Sequence, residues 1–157
     1  MHEIHVKIAE VQLGREGDIL KATLGSCVGI VFIWKEQKIC GLAHCFLPES
    51  LKEQNVIGAR YVNQAIISLI TLMKINKVDF KEISVYLAGA GNMMKKILKS
   101  NTSQVGKNNE AAARKYLEIH GFKIVEARLG YNCGSKIKVN CTDFTVEFLL
   151  LDELSID

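Results

Sequence analysis

The feature that most constrains the fold of this chain is an apolar run at residues 28–34 (VGIVFIW). The run is rich in β-branched and aromatic residues and has no polar face, which is typical of a strand that is buried on both sides. A polar turn at residues 35–38 and a second apolar run at 39–44 follow. The sequence therefore predicts a buried antiparallel hairpin.

Further elements are predicted from hydrophobic periodicity and turn residues. Strands are expected at residues 4–9, 19–24, 83–88, 123–129, 136–141 and 144–151. Helices are expected at 58–75, at 93–99, and from a cap at Asn108 or Asn109 to His120, with Gly121 as the stop. Because strand pairs outnumber βαβ units, the pattern indicates an α+β fold with mixed sheets.

Length and composition exclude several classes of protein. The 157 residues favour one domain spanning 1–157. The net charge of +3 is dispersed, which argues against a nucleic-acid partner. No apolar run is long enough to cross a bilayer and no signal peptide is evident, so we expect a cytoplasmic protein without membrane insertion. The five cysteines include no C-x-x-C pair, so we expect free thiols.

Cys27 is the candidate nucleophile. It follows Gly25 and Ser26 at the entry to the buried run. A glycine at this place lets the backbone turn sharply and present N–H groups beside the sulfur, where they could hold an oxyanion. The alternative is a buried structural cysteine, which is the commoner use of a free thiol. Because a strand follows rather than a helix, a base is needed to activate the thiol.

His44 is the best candidate for that base. It ends the return strand of the predicted hairpin, which brings it toward Cys27. His2 and His5 lie near the terminus, and His120 lies at a helix end, where an imidazole is commonly a capping residue. The alternative for His44 is a structural histidine at a strand end.

A metal site is the competing use of this region. Cys40, His44 and Cys45 could supply ligands, but Cys45 falls on the opposite strand face from the other two. Their spacing matches no zinc motif, so we expect no metal. The glycine-rich residues 89–91 lack the spacing of a P-loop or dinucleotide fingerprint, and a tight turn is the favoured interpretation.

Two motifs resemble the CheD family, the chemoreceptor glutamine deamidases of bacterial and archaeal chemotaxis. They are LGSCV at residues 24–28 and GxxHxxLP at 41–48. Four further segments are similar to family elements in the same order: RY at 60–61, GAGNMM at 89–94, VGxxN at 105–109 and LGxNxG at 129–134. The resemblance spans nearly the whole chain.

The resemblance implies packed mixed β-sheets flanked by two long helices, in a three-layer α/β/β sandwich. It implies that a receptor glutamine is hydrolysed to glutamate and ammonia without a cofactor. Cys27 would be the nucleophile and His44 the base, and backbone N–H groups around Gly25 and Ser26 would hold the oxyanion. The implied partners are the cytoplasmic part of methyl-accepting chemotaxis receptors and a CheC-type phosphatase.

The chain departs from the family pattern at three positions. The family often has a threonine six residues before the cysteine, where this chain has Lys21. Thr23 shares strand parity with Cys27, so we expect Thr23 to be the third catalytic member. The alternative is that Lys21 approaches Cys27 and stabilises its thiolate by charge. In the last glycine-rich loop, Tyr131 replaces a glycine and Ser135 replaces an arginine.

Two functions besides the deamidase stay open. The first is a CheD-like adaptor with weakened chemistry that binds a CheC-type phosphatase, which Lys21 and Ser135 favour. The second is another thiol hydrolase that acts on a different protein. The intact Cys27 and His44 favour the deamidase.

Overall fold

A computed structural model describes residues 1–52, 55–92 and 104–151. Within these ranges the chain forms nine strands and two α-helices, with short 3-10 helices at Lys35–Gln37 and Lys77–Glu82. The strands are β1 (His2–His5), β2 (Val11–Gly14), β3 (Asp18–Leu24), β4 (Val28–Trp34), β5 (Ile39–Cys45), β6 (Ser84–Gly89), β7 (Ile124–Leu129), β8 (Ser135–Asn140) and β9 (Val146–Leu150). The α-helices are α1 (Val62–Leu72) and α2 (Val105–His120).

The predicted hairpin is confirmed as β4 and β5. The two strands are antiparallel, and every residue of both is buried. Val28 pairs with Cys45 at the open end, and Trp34 pairs with Ile39 beside the turn. The hairpin therefore forms the centre of the molecule, as expected of a run without a polar face.

Two mixed sheets contain the strands. The first has the order β2-β5-β4-β6-β7, and the second has the order β1-β3-β8-β9. Each sheet contains one parallel pair, β6 with β7 and β1 with β3. Because β3 belongs to one sheet and β4 to the other, the chain crosses between the sheets at residues 25–27.

The sheets and helices form three layers. Along β4, alternate residues such as Ile30 and Phe32 pack toward α1 and α2. The residues between them, such as Val31 and Ile33, pack against the second sheet. The expected α+β fold, an α/β/β sandwich of mixed sheets with two helices, is therefore confirmed, and the first sheet is covered on both faces.

The helix bounds differ from those expected. α1 begins at Val62 rather than 58, because the carbonyl groups of Ala59 and Arg60 accept from the N–H groups of Phe46 and Leu47 instead of from a following helical turn. α2 begins at Val105, before the predicted cap, and ends as expected at Gly121, whose φ is 88°. The helix predicted at 93–99 lies outside the described residues.

The first strands also differ from the sequence pattern. The strand expected at 4–9 is β1, which ends at His5, and Ala9 takes a left-handed φ of 71° in the turn that follows. β2 was not expected from the pattern; it is a short, half-buried edge strand. No helix in the part of the chain that the structure describes is long and apolar enough to cross a membrane.

Candidate active site

Cys27 and His44 face the space between the two sheets at the open end of the β4–β5 hairpin. Cys27 comes directly before β4 and packs in the cluster between the sheets, and His44 lies on the same face of β5 as Cys40 and Leu42 of that cluster. Val28 pairs with Cys45 and Gly29 pairs with His44, so Cys27 directly precedes the paired end of β4, next to the end of β5 that carries His44. Cys27 is 6% exposed and His44 is 3% exposed.

All three carbonyl groups of the turn at residues 25–27 accept hydrogen bonds. The Gly91 N–H donates to the Gly25 carbonyl at 2.9 Å, and the Ala90 N–H donates to the Cys27 carbonyl at 2.7 Å. The Asn109 Nδ2 donates to the Ser26 carbonyl at 2.9 Å. The Cys27 N–H lies against its own thiol. Among the described residues, no turn, loop or cap bond uses the N–H groups of Gly25 or Ser26. The turn therefore offers N–H groups beside the Cys27 sulfur, which is what an oxyanion site requires.

A main-chain oxygen orients the ring of His44. The His44 Nδ1 lies 3.0 Å from the Val6 carbonyl oxygen. Because a carbonyl oxygen only accepts, Nδ1 carries the proton and donates it, and Nε2 of the neutral ring keeps its lone pair. Val6 is itself fixed, since its N–H donates to the Lys21 carbonyl at 2.8 Å. The arrangement leaves Nε2 available as a base.

Burial sets the protonation states of the two groups. It lowers the pKa of His44, although the bond to Val6 acts in the opposite direction, so the ring is neutral at neutral pH. Burial raises the pKa of the Cys27 thiol, so the sulfur is protonated. Between these two described residues there is no hydrogen bond. The resting pair is therefore a thiol and a neutral imidazole rather than an ion pair.

The side chain of Thr23 is not brought to this pair. Thr23 is exposed on the outer face of β3, whereas its neighbours Ala22 and Leu24 face the other sheet. The parity that linked Thr23 to Cys27 does not persist, because the chain changes sheets between them. The Lys21 Nζ forms an ion pair with Glu3 Oε1 at 3.0 Å.

Two contributors to the site were missed in the sequence. The Val6 carbonyl carries no residue signature, since every residue has a carbonyl group. Asn109 was expected to cap α2, but the helix begins four residues earlier and Asn109 is fully buried. Its Nδ2 also lies 3.2 Å from the Phe46 carbonyl oxygen. The sequence shows Asn109 only as the asparagine of the VGxxN element at 105–109. It does not show which carbonyl groups the side chain contacts.

The alternative metal ligands are divided between two layers. Cys45 packs toward the helices, whereas Cys40 and His44 face the second sheet. Cys40 lies beside Cys141, which together with burial raises the pKa of Cys40. Across the described ranges, no three His, Cys, Asp or Glu residues are grouped as a metal site.

Comparison with known proteins identifies the family of this chain. A family model described as CheD chemotactic sensory transduction matches residues 46–149. A probable chemoreceptor glutamine deamidase CheD from Bdellovibrio bacteriovorus is 37% identical over 150 residues, covering 94% of this chain and 95% of that protein. A protein with the same description from Methanococcus maripaludis (strain DSM 14266) is 32% identical over 143 residues, covering 91% of this chain and 92% of that protein.

A solved structure has a similar fold. The crystal structure of Neisseria meningitidis protein NMB0706 aligns with a TM-score of 0.53 and 12% sequence identity, covering 84% of this chain and 65% of that chain. At this identity the likeness concerns the fold alone.

Proposed function

The chain belongs to the CheD family, and we propose that it is a protein-glutamine deamidase that converts glutamine side chains of chemoreceptors to glutamate. The relatives described as probable chemoreceptor glutamine deamidases support the substrate. The observation that carries the chemistry is that Cys27 belongs to a turn that offers N–H donors and faces the same space between the sheets as His44.

The first step is attack by the Cys27 sulfur on the carboxamide carbon of the glutamine. The His44 Nε2 accepts the thiol proton as the carbon–sulfur bond forms, so no resting thiolate is needed. The carbonyl oxygen takes up the negative charge and is held by N–H groups of Gly25, Ser26 and Cys27. The lowered pKa of His44 suits this step, because the ring starts out neutral.

The second step releases ammonia. The His44 imidazolium donates its proton to the departing nitrogen as the carbon–nitrogen bond breaks, which leaves a glutamyl thioester on Cys27. His44 then takes a proton from a water molecule that attacks the thioester, and returns the proton to the sulfur. One water molecule is consumed, and the products are glutamate and ammonia. The Val6 carbonyl holds the ring in the same tautomer through the cycle.

The substrate and setting belong to the same proposal. The target is the cytoplasmic part of a chemoreceptor, so we place the protein in the cytoplasm. Each reaction adds a negative charge to a receptor helix and changes the repulsion between neighbouring carboxylates. Residues 1–157 act as one domain in this proposal, which the packing of the helices and the second sheet on opposite faces of the β4–β5 hairpin supports.

A second candidate is an adaptor that binds a CheC-type phosphatase and has weak or no deamidase activity. The observation that favours it is that Cys27 and His44 share no hydrogen bond, together with Lys21 at the position where the family often has threonine. The first point is weak evidence, because catalytic hydrogen bonds often tighten only when substrate is bound.

The test is incubation with the cytoplasmic fragment of a chemoreceptor. Ammonia release is followed over time, and peptide mass spectrometry identifies glutamines converted to glutamate. Cys27→Ala should lose all conversion, and the matched control Cys133→Ala, at a partly exposed cysteine, should retain it. Conversion that persists in Cys27→Ala would reject the thiol mechanism. A wild-type protein that converts no glutamine but binds a CheC-type protein would support the adaptor.

A further inference from the structure

We propose that Asn109 is a positioning residue that aims the Cys27 N–H at the oxyanion, a role that rests on the deamidase function proposed above. The Asn109 side chain is 0% exposed, and its Nδ2 donates to two carbonyl oxygens, Ser26 at 2.9 Å and Phe46 at 3.2 Å. Both partners are acceptors only, so the amide orientation is fixed by chemistry.

The two accepting carbonyls belong to the two segments that carry the catalytic pair. Ser26 directly precedes Cys27, and Phe46 follows His44 by two residues. They are far apart in sequence from α2, yet one NH₂ group from the helix binds both. Asn109 therefore joins the nucleophile turn to the end of the histidine strand.

Because the peptide bond is planar, the bond from Asn109 to the Ser26 carbonyl also affects the Cys27 N–H. The Ser26 carbonyl and the Cys27 N–H belong to one trans peptide group, so they point in opposite directions. An amide that holds the Ser26 oxygen also sets the direction of the Cys27 N–H. The Ala90 and Gly91 N–H groups hold the flanking carbonyls, but they do not touch the Ser26 oxygen. Without Asn109 this one peptide plane can rotate.

The remaining atom of the amide argues for a geometric role. The Asn109 Oδ1 is buried and has no hydrogen-bond partner among the described residues. An unsatisfied buried oxygen offsets part of the stability that the two donated bonds supply. What the two bonds still provide is a fixed geometry for the segments that carry Cys27 and His44.

The experiment compares Asn109→Ala and Asn109→Leu with the control Asn108→Ala, an exposed neighbour on the same helix. Asn109→Leu leaves no cavity and has no donor, so it serves if the alanine variant does not fold. Steady-state deamidation of the receptor fragment gives kcat and KM. Alkylation of Cys27 by iodoacetamide, followed by peptide mass spectrometry, gives a second rate that involves no oxyanion.

We expect kcat to fall about tenfold to a hundredfold in both Asn109 variants. This fall is no larger than the fall in kcat when one direct oxyanion donor is removed. KM should stay within about twofold, because only the transition state uses the misdirected donor. Alkylation of Cys27 should change less than about threefold, because that displacement creates no oxyanion. Asn108→Ala should match the wild-type protein in all three measurements.

The outcomes separate this role from the proposed function. If the wild-type protein converts no receptor glutamine, the deamidase proposal fails and the role of Asn109 fails with it. If the wild-type protein is active and folded Asn109 variants keep its kcat, only the positioning role is wrong. If alkylation and kcat fall together, Asn109 maintains the general environment of Cys27, and the proposal is also wrong.

Discussion

Replacing Gly106 by alanine should destabilise the protein, although helix propensity alone predicts the opposite. Gly106 is the second residue of α2 and is buried. A methyl group built on it would lie 2.5 Å from the Gly91 carbonyl oxygen and 2.6 Å from that of Ala90. Those are backbone atoms, which cannot move aside as a flexible side chain does. The helix or the loop at residues 89–91 must shift.

The size of the effect follows from two opposing contributions. Alanine is favoured over glycine in a helix by at most about 1 kcal/mol. Forcing a methyl group into a packed interior costs about 1–3 kcal/mol. A net loss of about 1–2 kcal/mol lowers the Tm of a domain of this size by about 2–8 °C. Deamidation should fall too, because the Ala90 and Gly91 N–H groups hold the turn that carries Cys27.

Urea denaturation and thermal melts, both followed by circular dichroism, measure this change. Lys107→Ala, at the exposed position that follows, is the matched control and should leave the free energy of unfolding nearly unchanged. A Gly106→Ala protein as stable as the wild type, or more stable, would refute the reasoning, since the contact would then be relieved without cost.

Three further predictions concern the candidate site. In the pH profile of kcat/KM, the midpoint of the acid limb should lie below the ordinary histidine pKa of 6.5. Burial lowers the pKa of His44, so the base stays neutral at lower pH. A midpoint above 6.5 would contradict the assignment of His44 as the base. Thr23→Val and Lys21→Met should each leave kcat within about twofold, because neither side chain binds His44; a strong loss in Thr23→Val would restore the hydroxyl to the mechanism. Iodoacetamide should label the partly exposed Cys133 before Cys27 in the free protein, as peptide mass spectrometry would show; the reverse order would indicate a resting thiolate at Cys27.

The parts of the fold that depend on local pattern could be predicted from the sequence. The apolar run at 28–34 specified the central hairpin, and Gly121 specified the end of α2, because strand burial and a left-handed stop are local properties. The start of α1 could not be predicted in this way. Its periodicity continues back to 58, but the carbonyl groups of Ala59 and Arg60 accept from Phe46 and Leu47, a contact that the local pattern does not show.

The same distinction between local pattern and long-range contact applies to the candidate site. Cys27 and His44 could be selected because their side chains carry the chemistry and a hairpin relates them. The expectation for Thr23 assumed a continuous strand, and the change of sheet at 25–27 removes that assumption. The role of Asn109 depends on which carbonyls α2 meets, which is a property of the packed helix.

The bond from His44 to the Val6 carbonyl makes the orientation of the histidine robust to mutation. No side-chain substitution at Val6 removes a main-chain oxygen, and Val6 is placed by pairing of its backbone with that of Lys21. Apolar replacements that fit the buried position of Val6, and changes to the Lys21 side chain, therefore leave the acceptor where it is. Shortening the N-terminal segment has the opposite effect, because it removes the acceptor together with the chain that supplies it. A recombinant protein trimmed past Val6 would keep the Cys27 and His44 side chains and lose the group that holds the ring.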